Sequence, residues 1–195
     1  RMPGKVGTFL SLTGAQCNSA DALFIGLADF AIANERKQHV LDAIQATRWS
    51  DDTHANKAAL SRILEFNASQ QPVMEALPDA SAIRQHFDDI HDIIGHERPL
   101  LDIAQRLRVL AAEDSWIGRA AKTFVNGSPS SASLSYTLLR RTKHLSLADV
   151  FRLEYHVSLA CGARPDFAEG VRALLIDKDK NPRWTPVRLE DVDPA

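Results

Sequence analysis

The 195-residue chain carries 23 basic and 25 acidic side chains, a formal net charge of -2, and 45% hydrophobic residues. Those are ordinary globular values for one domain with a real core; they argue against a disordered tail, and a near-neutral chain has no overall field to draw in nucleic acid. No run of about 18 apolar residues is present, so no membrane span is expected, and Cys17 and Cys161, far apart and in no CxxC pattern, argue against a disulfide scaffold or zinc site and suit a reducing compartment.

Arg1-Met2-Pro3-Gly4 lacks the basic, apolar, small-residue order of a secretory signal, and an arginine ahead of Met2 is not a natural start, so a piece of a longer protein is expected. Residues 5–13 form a short apolar helix entered after Pro3 and stopped by Gly14. Asn18 or Ser19 caps a second helix over residues 20–25, with Gly26 as its stop. Residues 27–32 read as a short buried strand, the one strand expected in the chain.

Residues 35–46 are amphipathic, with Val40, Leu41 and Ile44 on one face; Asp51 or Asp52 caps the next helix, which runs to Phe66. Residues 67–78, with Pro72 and Pro78, are the best linker candidate. Beyond them the pattern is helical: residues 81–94 up to Gly95, residues 100–110 after the first-turn proline Pro99, and residues 116–124 capped by Ser115. A turn at Asn126-Gly127-Ser128-Pro129 precedes helices over residues 131–141 and 146–161. The chain on its own therefore reads as mostly α, with about nine helices and one short strand. A lone strand leaves backbone groups that some further strand must satisfy.

Few residues invite chemistry. His86, His91 and His96 fall five apart beside Asp88, Asp89 and Asp92, but five residues turn a helix by about 140°, so the imidazoles do not converge and no metal site is expected. No GxSxG elbow or Gly-rich phosphate loop occurs. Cys161 reads as a small buried thiol, and the basic run Arg140-Arg141-Thr142-Lys143-His144 as a helix C-terminus matched to its dipole, with a phosphate contact as the alternative.

The C-terminal string DFAEGVRALLIDKDKNPRWTP starts with Asp166, an N-cap candidate with Glu169 three residues on. Phe167, Val171, Leu174 and Leu175 give the helix one apolar face, and Arg172, Asp177, Lys178 and Lys180 put paired charge at its far end before Pro182. This string resembles the C-terminal signature of the crotonase (enoyl-CoA hydratase/isomerase) superfamily, closest to the C-terminal half of the 3-hydroxyisobutyryl-CoA hydrolase branch. The resemblance extends to residues 4–14, Ala20-Asp21-Ala22, Gly26-Leu27-Ala28, Ser128-Pro129-Ser130-Ser131, Thr137-Leu138-Leu139-Arg140, and Ser146-Leu147 through Glu154-Tyr155.

The resemblance implies the C-terminal portion of an α/β crotonase (β/α spiral) fold. Residues 1–50 would end the spiral core, with the strand at 27–32 in its last turn, and residues 51–195 would be a helical region covering the active site and an oligomer interface. It implies thioester hydrolysis in valine breakdown, or hydration or isomerisation of an enoyl-CoA on the same fold, with no metal or redox cofactor and coenzyme A arriving as part of the substrate. The family's oxyanion donors and catalytic carboxylates lie upstream of the part matched by residues 1–14, so no catalytic residue is carried over.

Lys178 corresponds to a lysine near the coenzyme A adenine and phosphates, and Leu175 or Ile176 stands where many relatives have phenylalanine. Pairing of Lys178 with Asp177 or Asp179 is the alternative, and Trp184 is expected to seal the helix against the core. The implied partners are an acyl-CoA and a missing N-terminal half or further copies of the chain; the implied location is bacterial cytoplasm or a mitochondrial matrix. A second reading, from the apolar helix faces alone, is a non-catalytic helical packing and oligomerisation module.

Overall fold

The computed structural model describes residues 2–69 and 80–193. Among the described residues there are eleven α-helices and no strand: α1 (Val6–Thr13), α2 (Ser19–Phe24), α3 (Lys37–Ala46), α4 (Thr53–Ser69), α5 (Ala82–Gln85), α6 (Phe87–Ile94), α7 (Leu100–Leu110), α8 (Trp116–Asn126), α9 (Pro129–Arg141), α10 (Leu147–Gly162) and α11 (Pro165–Val171). No described helix is long and apolar enough to cross a membrane. The chain divides into two compact units, one of Arg1–Val6 and Gln16–Ile90 and the other of Gly7–Ala15 and His91–Ala195.

In the first unit, α2 is fixed by a reciprocal cap. The Asn18 side chain accepts from the Asp21 amide at 2.8 Å while the Asp21 carboxylate accepts from the Asn18 amide at 2.9 Å. The same carboxylate, 1% exposed, also accepts from Ser81 Oγ at 2.8 Å and the Ile83 amide at 3.0 Å. A buried carboxylate is tolerated when its lone pairs are used in this way, and the bonds from Ser81 and Ile83 tie the entry of α5 to α2. Around them lie the buried Ala20, Ile25, Ile83 and Ile90, with an edge-to-face contact between Phe24 and Phe87 at 5.6 Å. Asp52 accepts from the His54 amide at 2.8 Å at the start of α4, as expected.

The strand expected at residues 27–32 is not present. The amides of Leu27 and Ala28 both donate to the Ala22 carbonyl, at 2.9 and 3.2 Å, which closes a turn over the end of α2, and Leu27 is 60% exposed. A strand needs a ladder partner, and no described segment supplies one. The helix expected over 81–94 is likewise two helices, because His86 leaves helical geometry at φ -102°, ψ 21° as the cap of α5. Of the proposed linker, residues 67–69 complete α4 and residues 70–78 lie outside the described residues.

The second unit is built on the α7–α8 hairpin. Ile103, Ala104 and Leu107 on α7 and Ile117, Ala120, Ala121 and Phe124 on α8 recur at helical spacing and are buried. Gly118 lets the α7–α8 turn close on the start of α8: a Cβ there would lie 2.2 Å from the Glu113 carbonyl oxygen. Phe9 packs against Trp116 with ring centroids 5.8 Å apart. Tyr136 on α9 donates to the Arg98 carbonyl at 2.7 Å, and Arg140 pairs with Glu97 at 2.7 Å and lies over the Tyr136 ring. Helix α9 starts two residues earlier than expected because Ser128 caps it with Pro129 in its first turn. On α10, capped by Ser146, the residues Leu147, Phe151, Tyr155 and Leu159 repeat every four positions and are all exposed.

Candidate functional site

The segment that carries the sequence signature begins at α11. Pro165 occupies its first turn and Arg164 its N-cap, without a side-chain cap bond. Asp166, expected at the cap, is instead one residue inside the helix. Its carboxylate accepts from Ser128 Oγ at 2.5 Å and the Thr185 amide at 2.8 Å, so it pins the returning chain rather than the helix start. Trp184 completes that return: its indole donates to the Asn126 carbonyl at 2.9 Å, and its ring lies 3.4 Å from where a Cβ on Gly170 would stand. The expected seal by Trp184 is thus a hydrogen bond plus a close ring contact.

After α11 the helix widens into a π turn, Arg172–Ile176, closed by the Asp177 amide on the Arg172 carbonyl at 2.8 Å. The chain then leaves through two lysines in the left-handed region, Lys178 at φ 56° and Lys180 at φ 55°. The widened turn and the two left-handed residues bring side chains together that a straight helix would separate. Arg172 grips the Glu169 carboxylate with two bonds of 2.9 and 2.7 Å, and gives its other nitrogen to Asp177 at 2.6 Å and Asp179 at 2.7 Å. It also reaches the Asn181 carbonyl at 3.2 Å. A guanidinium has five N–H donors, and these five bonds employ them all.

The electrostatics follow from that geometry. The Arg172 guanidinium, with the Arg183 amide donating at 2.7 Å, holds the Glu169 carboxyl down to about 2 from its ordinary 4.5. The same guanidinium, helped by the Asn181 amide, lowers the Asp179 carboxyl. In return the three carboxylates, Glu169 foremost, raise the Arg172 guanidinium further above its usual range.

Among the described residues Lys178 has no hydrogen bond or salt bridge, and it is exposed; the carboxylates of Asp177 and Asp179, expected as alternative partners, are on Arg172. Leu175 and Ile176, which precede it with only Asp177 between, are 64% and 69% exposed, and Leu174 and Phe167 are also exposed. Sequence reasoning singled out these residues and placed Arg172 in the charge at the helix end, but not as the hub that gathers Glu169, Asp177 and Asp179. The Glu169–Arg172 spacing of three was visible, whereas spacings of five and seven to the aspartates only become contacts through the π turn.

The other candidates separate from this segment. His86 Nδ1 stands 2.9 Å from Asp89, and no group of three His, Cys, Asp or Glu side chains that could hold a metal ion occurs among the described residues. Cys161, expected to be buried, is half-buried, and Cys17 is exposed. Partial burial and the nearby Asp21 carboxylate push the Cys17 thiol up. The basic run ends α9 and continues as a 3-10 turn, Thr142–His144, with Arg140 committed to Glu97.

Comparison with known proteins covers this whole chain. The enoyl-CoA hydratase/isomerase family matches residues 1–195. The mitochondrial 3-hydroxyisobutyryl-CoA hydrolase of Dictyostelium discoideum is 28% identical over 194 residues, covering 99% of this chain and 48% of that protein. The small ribosomal subunit protein mS47 of Schizosaccharomyces pombe is 29% identical over 185 residues, covering 95% of this chain and 42% of that protein. The crystal structure of an enoyl-CoA hydratase from Rhodobacter sphaeroides matches with a TM-score of 0.73 and 25% identity, covering all of this chain and 50% of that one. The chain spans about half the length of the curated relatives it matches. With the family match running from the first residue to the last, the chain belongs to the enoyl-CoA hydratase/isomerase family.

Proposed function

We propose that this chain is the coenzyme-contacting C-terminal part of an acyl-CoA thioester hydrolase resembling 3-hydroxyisobutyryl-CoA hydrolase, acting in valine breakdown, and that it contributes no catalytic residue. The observation that carries the reading is the Lys178 ammonium, exposed and without a partner among the described residues at the end of the signature helix. A lysine so placed offers a phosphate a point charge with three donors. Leu175 and Ile176 beside it offer exposed apolar surface that an adenine face would cover. Residues 1–50 would end the spiral core and residues 51–195 would cover the active site, in bacterial cytoplasm or a mitochondrial matrix. An enoyl-CoA hydratase or isomerase is the runner-up, and turnover of 3-hydroxyisobutyryl-CoA against crotonyl-CoA by the full-length gene product separates the two.

The reading is tested by titrating desulfo-coenzyme A into the chain with its lysines carbon-13 dimethylated. A saturable shift at Lys178, lost in K178Q, is expected; a shift confined to other lysines would refute the coenzyme contact. A second reading, a non-catalytic packing and oligomerisation module, is favoured by the exposed four-residue repeat on α10. Light scattering discriminates: concentration-dependent association reduced by F151E supports it, and a monomer at all concentrations counts against it.

A further inference from the structure

The site above leaves Arg172 without a role of its own, although it binds three carboxylates and a carbonyl. Two of those carboxylates, Asp177 and Asp179, are the immediate neighbours of Lys178. Side chains adjacent to a lysine at a helix end are its nearest competitors for a phosphate, since each is tethered within reach at high effective concentration. Here both are turned to Arg172 at 2.6 and 2.7 Å. The Arg172 side chain is only 29% exposed, Glu169 holds it from the other side by two bonds, and the Asn181 carbonyl caps it.

The backbone agrees. A lysine at φ 56° has left the favoured regions for a residue with a Cβ, and such a conformation persists only where the surroundings impose it. On either side of Lys178 stand the two aspartates on Arg172, and the Lys180 amide is bound to the Ala173 carbonyl at 3.1 Å. The Arg172 bonds thus fix the lysine's backbone and occupy its nearest carboxylates together.

We propose that Arg172 is a positioning residue for phosphate binding: it keeps the carboxylates of Asp177 and Asp179 on its own guanidinium, so that the Lys178 ammonium is free for a phosphate of the coenzyme's nucleotide end. The inference rests on the coenzyme contact proposed for Lys178. Arg172, with all five donors employed, is not itself the phosphate ligand. Its loss hands two carboxylates to Lys178, and exposed pairs of that kind weaken a competing anion by about fivefold.

The test uses the whole chain with dimethylated lysines and adenosine 3′,5′-bisphosphate as the probe, read at the Lys178 resonance. The wild type is expected to saturate, R172Q to bind about fivefold more weakly, and R172Q/D177N/D179N to return to within about twofold of wild type. That rescue is the readout a purely structural role would not give. Equal binding by R172Q and wild type overturns the role of Arg172 while leaving the Lys178 contact standing. A triple variant that stays weak overturns it too, because Arg172 then acts only by holding the loop. No Lys178 shift in the wild type removes the coenzyme contact and this inference with it. Should R172Q fail to fold, D177N/D179N decides: unchanged affinity supports the proposal, and affinity raised more than about threefold shows that the aspartates compete despite Arg172 and overturns it.

Discussion

Gly118 gives the sharpest test of how the second unit is packed. It is the third residue of α8, buried, with its amide on Ser115 Oγ at 3.0 Å. A methyl group there would meet the Glu113 carbonyl oxygen at 2.2 Å and the Leu110 carbonyl oxygen at 3.0 Å, backbone atoms of the α7–α8 turn and of the last residue of α7. Replacing a helical glycine by alanine ordinarily gains up to about 1 kcal/mol. Overpacking costs about 1–3 kcal/mol when side chains can yield, and here a backbone carbonyl must move, so the upper end applies. The net expectation for G118A is a loss of about 2 kcal/mol. For a chain of this length that lowers the melting temperature by about 4–8 °C. Urea unfolding followed by far-ultraviolet circular dichroism reads the change, with G162A as the control because nothing lies within 4 Å of a Cβ at Gly162. A G118A protein as stable as wild type would refute the close packing of the α7–α8 turn against the start of α8.

Three further outcomes are expected. L107A removes a side chain with no solvent exposure from the same hairpin and should cost about 2–5 kcal/mol in urea unfolding, with the midpoint falling and the slope kept. D21A strips the acceptor from the Asn18 amide, Ser81 Oγ and the Ile83 amide and should cost about 3 kcal/mol or more, whereas D21N, which keeps an acceptor oxygen, should cost less. Glu169, depressed in the folded protein, contributes stability that is fully present above its ordinary 4.5 and is lost as pH falls toward about 2. The urea-midpoint difference between wild type and E169Q should therefore be constant above that window and shrink through it; a difference independent of pH would contradict the Arg172–Glu169 assignment.

Local chemistry made much of the fold legible. Asn18 and Ser115 were readable as caps because a short side-chain oxygen before an apolar run has one obvious use, and each accepts from an amide three residues on. The apolar repeats of α7 and α8 likewise named their buried faces. What failed was non-local. Residues 27–32 look like a strand by apolarity, but strand formation depends on a partner that no described segment provides, and the turn over Ala22 takes the amides instead. The break at His86 had no proline or glycine to announce it.

At the site, Lys178, Leu175 and Ile176 were named from resemblance to a family. All three are exposed. Arg172 was legible only as part of the charge at the helix end, because its contacts at spacings of five and seven depend on a π turn and two left-handed lysines, none of which hydrophobic periodicity encodes. Asp166 was misplaced for the opposite reason. A capping-box pattern was present, but Pro165 starts the helix two residues earlier and frees the carboxylate for Ser128 and Thr185.

The central claim is that this chain supplies coenzyme contacts and no catalytic group. Its most direct test is thiol release from 3-hydroxyisobutyryl-CoA by the purified chain alone. The account predicts no release above the uncatalysed background; turnover at an enzymatic rate would place a complete thioesterase site within these residues and contradict it.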